Sequence, residues 1–102
     1  MNNKVTWLGH EFGTYPLNTT WNDVAGVYIF CGINAQGYWV PVYVGQTDSF
    51  KSRFSSHEKW DQAIRNGATH IHARAIPHAP MRDAVEMALI QMLRPKLNEQ
   101  LK

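Results

Sequence analysis

The residue types able to do chemistry fall in a short ordered series along this chain. Tyr28 and Tyr43 lie on two apolar segments, with Gly26 and Gly45 each two residues away. Arg53 and His57 follow four residues apart, which makes them neighbours on one helix face. Glu86 stands one turn beyond Arg82, and Asn98 comes near the end. Taken singly, each has an ordinary role. The tyrosines suit strand aromatics with solvated hydroxyls. Glu86 suits a surface pair with Arg82, and Asn98 a helix terminator. His70 and His72 share one face of a strand, as zinc ligands do, but no cysteine or carboxylate lies at ligand spacing. With Arg74 they read instead as a polar sheet face turned toward phosphate. Trp39 and Trp60 offer surfaces on which bases stack, though core or rim packing is the commoner role.

Charge is distributed unevenly behind these residues. Residues 1–45 carry Lys4 against Glu11 and Asp23, whereas residues 46–102 carry nine Lys/Arg against six Asp/Glu. That local excess suits a basic face for a polyanion, with Lys51, Arg74 and Trp39 as candidate nucleic-acid contacts.

The elements that must position them can be read from the pattern. Residues 24–33 are rich in β-branched and aromatic types and read as a strand. Asn34-Ala35-Gln36-Gly37 is a turn, and residues 38–44 form a second strand with an edge or a bulge at Pro41. The two make a hairpin. Thr47 or Asp48 can cap a helix running from about Phe50 toward Trp60. A further helical stretch, Asp61 to Arg65, ends at Asn66-Gly67. Thr69 to Ile76 is a third strand. Pro80 then opens a helix with an apolar stripe of Met81, Ala84, Val85, Ala88, Leu89, Met92 and Leu93, stopped by Pro95. The expected fold is α+β: a small three-stranded antiparallel sheet flanked by helices, in the order β-β-α-β-α. Residues 1–22 read as an irregular arm that packs Trp7, Phe12, Tyr15 and Trp21 onto the domain.

Composition bounds the function classes. A chain of 102 residues holds one domain, and 44% apolar with 12% aromatic residues excludes intrinsic disorder. No apolar run is long enough for a membrane span. The single Cys31 and the polar N-terminus point to a reduced, cytoplasmic setting.

The ordered series itself resembles the GIY-YIG nuclease family. Gly26-Val27-Tyr28 stands for the first motif and Tyr43-Val44-Gly45 for the second. Arg53-Phe54-Ser55-Ser56-His57 matches the Arg-x-x-x-His element, Glu86 the late acidic helix, and Asn98 the terminal asparagine. The resemblance covers residues 24–98. Valine replaces the middle isoleucine in both tripeptides, and fourteen residues separate the two. The resemblance implies metal-dependent hydrolysis of a nucleic-acid phosphodiester, with Glu86 as ligand to a single Mg²⁺ or Mn²⁺. It implies that Arg53 holds the transition-state phosphate and that Tyr28 or Tyr43 positions or deprotonates the attacking water. Tyrosine is a poor base at neutral pH, with a reference pKa near 10. It therefore needs a nearby cation, or passes its proton to His57. Gly26, Gly45 and Asn98 brace the site.

Two other classes fit the same sequence: a nucleic-acid-binding module without turnover, and a protein-interaction domain that uses the aromatic arm. For a nuclease this small, few side chains remain to read base edges. The expectation is low sequence specificity, a structured substrate, or a homodimer. DNA is the expected polymer.

Overall fold

The computed structural model describes residues 3–99, without the side chain of Glu99. Nine elements follow one another: β1 (Lys4–Trp7), β2 (His10–Pro16), β3 (Gly26–Ile33), β4 (Trp39–Thr47), α1 (Phe50–Ser55), α2 (Trp60–Arg65), β5 (His70–Ala75), α3 (Ala79–Leu93) and α4 (Lys96–Glu99). All five strands form one antiparallel sheet in the order β1-β2-β5-β3-β4. This corrects the three-stranded expectation. Residues 4–16, expected as part of an irregular arm, are instead a hairpin that pairs through β2 with β5. Its turn is Leu8-Gly9, both at positive φ, with Trp7 paired to His10. That is the geometry of a primed two-residue turn. A leucine in its first position hides the signal, because left-handed backbone disfavours any side chain there.

The sheet buries both faces. β3 is an interior strand, between β5 and β4, and is enclosed from Gly26 to Gly32, as its near-continuous apolar run suggests. One face carries Tyr28, Phe30, Tyr43, Ile71 and Ala73, covered by Phe50 of α1, Ala63 of α2 and Leu97 of α4. The other carries Phe12, Val27, Ile29, Cys31 and Val44, covered by Val85 and Leu89 of α3. Each large apolar side chain so buried contributes roughly 1.5–3 kcal/mol, and the two layers lock β3 in register.

Three local details depart from the sequence pattern. The helix expected from Phe50 toward Trp60 breaks at Ser56, leaving His57 and Glu58 on the connection between α1 and α2. Its cap is Ser49, whose side chain accepts the Ser52 N–H at 3.2 Å, rather than Thr47 or Asp48. The apolar stripe of α3 is rotated: Met81 and Met92 are exposed, and Arg82 lies buried with Val85 and Leu89. Arg82 turns inward because Nη1 donates to the carbonyls of Ile76 at 3.1 Å and Pro77 at 2.9 Å, in the connection that leads into the helix.

At Pro41 the register between β3 and β4 shifts, and β4 is also the outer strand of the sheet. The missing N–H thus falls where no ladder bond is required. No helix among the described residues is long and apolar enough to cross a membrane.

Candidate active site

Strand alternation places Tyr28 and Tyr43 on the same face of the sheet. Tyr28 pairs in register with Gly45 and Tyr43 with Phe30, so the tyrosines are diagonal neighbours with ring centroids 6.4 Å apart. A Cβ at Gly45 would run into the Tyr28 hydroxyl, and a Cβ at Gly26 would run into the Arg74 carbonyl and the Phe50 ring. The two glycines therefore let Tyr28 lie across β4 and let α1 close onto β3.

The break after α1 turns His57 inward, where it is 8% exposed. Its Nε2 lies 2.7 Å from the Tyr28 hydroxyl oxygen, and its ring stands edge-on to both Tyr28 and Tyr43. The backbone N–H of Lys59 donates to Nδ1 at 2.9 Å. That bond assigns the tautomer: the neutral ring carries its proton on Nε2 and donates it to Tyr28. Burial, reinforced by the Arg53 charge, lowers the His57 pKa to about 4, so the ring is neutral at pH 7. His57 in this state is a donor to Tyr28, not the acceptor of its proton, which removes the expected relay from tyrosine to histidine.

Arg53 completes the cluster. Its Nε donates to the Tyr28 oxygen at 3.4 Å, a long bond. Its Nη1 forms an ion pair with Glu58 at 2.7 Å. Burial pushes the Tyr28 pKa up and the Arg53 hydrogen bond pulls it back, leaving it well above its ordinary value. Tyr43 is raised as well, again by burial first. Tyr28 is 1% exposed, so its oxygen, with two donors on it, is the buried centre of the cluster.

Glu86 stands apart from this cluster. It projects from α3 beside Gln46, which strand alternation puts on the opposite side of β4 from Gly45. The Gln46 amide donates to Glu86 at 2.9 Å and also to Asp83. Burial and the Asp83 charge raise the Glu86 pKa, while the Gln46 bond lowers it. The Glu86 charge still bears on Tyr43 across the strand. No group of three His, Cys, Asp or Glu side chains gathers among the described residues. What exists is a pair of carboxylates held by the nitrogen of one amide, whose Oε1 accepts from Arg82 Nε at 3.4 Å. The two carboxylates alone are the oxygen ligands a hard cation would take together with its own waters. The surface pair of Glu86 with Arg82 is not formed, since Arg82 is engaged elsewhere.

Asn98 is buried beneath β4. Its Oδ1 accepts the Val44 N–H at 2.7 Å and its Nδ2 donates to the Val44 carbonyl at 2.9 Å. It braces the strand between the tyrosine and the glycine of the second motif.

Lys51 is exposed on α1, two residues before Arg53. Arg74 and Trp39 are not brought to the cluster. Arg74 donates to the Glu11 carbonyl at 3.0 Å, and Trp39 packs on the α3 side of the sheet against His70 and His72. The expected polar face of β5 is thereby corrected. His72 is fully buried, and its Nδ1 accepts from Trp7 Nε1 at 2.9 Å. Trp60 packs edge-on to Phe30.

Three participants were missed from sequence: Glu58, Gln46 and Asp83. Asp83 had a signal, being one turn from Glu86. Gln46 and Glu58 had none, because their roles depend on the edge of β4 and on the helix break.

No family model and no curated protein matches the chain.

Proposed function

We propose that this chain is a divalent-metal-dependent endonuclease of the GIY-YIG type, hydrolysing phosphodiester bonds of DNA by attack of water. The observation that carries this reading is the convergence of Tyr28, His57 and Arg53 on one hydroxyl oxygen above Gly45, with Tyr43 alongside. Three elements, β3, β4 and α1, and the connection after α1 supply these groups, in the order that the motif resemblance implies.

Arg53 supplies a fork of charge-assisted donors for a phosphate whose negative charge grows in the transition state. Tyr28, buried with its oxygen holding two donors, fixes Arg53 and His57 in the site. His57 holds Tyr28 in place as a neutral donor. Tyr43 lines the other side. Glu86, with Asp83, suits a hard cation on the α3 side of β4. Because β4 is an outer strand, a nucleic-acid backbone passing its edge would meet Arg53 on one side and that cation on the other, where the bound ion would supply charge neutralisation for the phosphate. The Gln46 amide bridges the two carboxylates and sets their orientation.

Nicking of supercoiled plasmid with Mg²⁺ or Mn²⁺ tests the reading, with EDTA as the blank. The expected result is metal-dependent nicking by the wild type that Glu86→Ala and Arg53→Ala each abolish while circular dichroism stays unchanged. Wild-type rates in either variant would overturn the assignment of the site. Retention on DNA without nicking under any metal would replace the enzyme by a binding module.

A further inference from the structure

The Arg53–Glu58 pair has no packing role to explain it. The Glu58 side chain is 65% exposed and that of Arg53 is 28% exposed. Glu58 sits on the turn between α1 and α2, in no helix and in neither core layer. Yet its contact with Nη1 is short, 2.7 Å, whereas the Arg53 bond to Tyr28 is long at 3.4 Å. The guanidinium of the site is thus already engaged by an anion, and that anion is the more exposed partner.

We propose that Glu58 is a built-in competitor for phosphate at Arg53: its carboxylate occupies the guanidinium in the free protein and is displaced when a phosphate group enters. This rests on Arg53 being the phosphate-binding residue of the proposed function and adds how that residue is regulated. The chemistry of the two anions is alike, since both accept paired N–H donors from a guanidinium. A solvated carboxylate on a turn is cheaply released, because exposed ion pairs contribute little. Contact with Arg53 holds the Glu58 carboxyl at a pKa of about 2, so the competitor stays charged throughout the neutral range. The arrangement would discriminate between isolated phosphates and a polymer. A single anion must displace Glu58 alone, whereas a nucleic acid brings several contacts along the basic half of the chain.

The test follows the Arg53 Nε–Hε resonance by NMR while inorganic phosphate is added. Wild type, Glu58→Gln and Asp61→Asn are compared. Asp61, also exposed and only three residues on, controls for the general loss of one negative charge. Glu58→Gln is expected to bind phosphate about two- to fivefold more tightly than wild type, the reach of an exposed ion pair, with Asp61→Asn close to wild type. Equal tightening in both variants overturns the proposal. So does weaker binding in Glu58→Gln, or an Arg53 resonance that phosphate leaves unmoved in every protein. Plasmid nicking supplies a second readout: Glu58→Gln should lower KM. A fall in kcat would make Glu58 a positioning residue and refute competition. Phosphate binding needs no turnover, so failure of the wild type to nick counts against the nuclease reading alone.

Discussion

Acid should destabilise this protein before most of its carboxylates titrate, because two neutral imidazoles are buried on opposite faces of one sheet. His57 is enclosed against Tyr28 and Tyr43, and His72 is fully buried between Trp7 and Trp39. In each, burial lowers the pKa to about 4, from 6.5. Between those values the unfolded chain binds a proton that the native ring refuses. Stability is therefore complete above pH 6.5 and falls as pH drops toward 4. Each proton contributes a slope of up to about 1.4 kcal/mol per pH unit. At pH 5 the loss is of the order of 2 kcal/mol per histidine, so roughly 4 kcal/mol for both. That is a large part of the 5–15 kcal/mol, or about that, by which such domains are stable. Urea unfolding followed by tryptophan fluorescence, at fixed ionic strength and pH 7.5, 6 and 5, measures it. His57→Gln and His72→Gln should each flatten the pH slope by about one proton, whatever they do to stability at pH 7.5. Equal stability at pH 7.5 and 5, or an undiminished slope in both variants, would refute the burial argument.

Two further substitutions probe the scaffold around Tyr28 and Tyr43. Gly45→Ala places a methyl group against the Tyr28 ring, which Phe54 and Phe30 hold on its other sides. A loss of about 1–3 kcal/mol is expected, typical of overpacking, read as a lower urea midpoint. Wild-type stability would show that Tyr28 can move aside. Asn98→Ala leaves the Val44 N–H and C=O without partners in a buried setting. The expected cost is about 2–4 kcal/mol from two unsatisfied groups, together with faster amide exchange at Val44. Slow exchange there would mean that another group has replaced the carboxamide.

Much of the central hairpin was legible because its signals are local. The apolar run of β3, the Asn34–Gly37 turn and Pro41 all act within a few residues of themselves. Asn34 Oδ1, for example, accepts the Gln36 and Tyr38 N–H groups, each at 3.0 Å. The N-terminal hairpin was not legible. Leu8-Gly9 is a poor turn signal, and β2 pairs with β5, more than fifty residues away. That pairing is what converts Trp7 from a loose anchor into a hydrogen-bond donor for His72. The order of the site residues was visible, but their mutual geometry was not. Arg53 and His57 were expected as neighbours on one helix. Instead the helix ends between them, and only then does His57 reach Tyr28. The direction of the His57 proton depends on a backbone N–H at Lys59, which no side-chain pattern encodes. Arg82 likewise reads as a surface residue until the carbonyls of the β5–α3 connection are in place to receive it.

The Asn98 carboxamide has a meaning beyond bracing the site. β4 is an outer strand, and the outward-facing peptide group at Val44 is what an incoming chain would use to extend the sheet. Asn98 fills that position with an amide of its own, acting as one residue of a sixth strand that goes no further. Three residues earlier along β4, Pro41 has no N–H to offer. Between them they cap the sheet against backbone templating by a second molecule, on the very strand that carries Tyr43. Loss of the carboxamide should therefore be felt in solution behaviour as well as in stability, as association through a newly available edge.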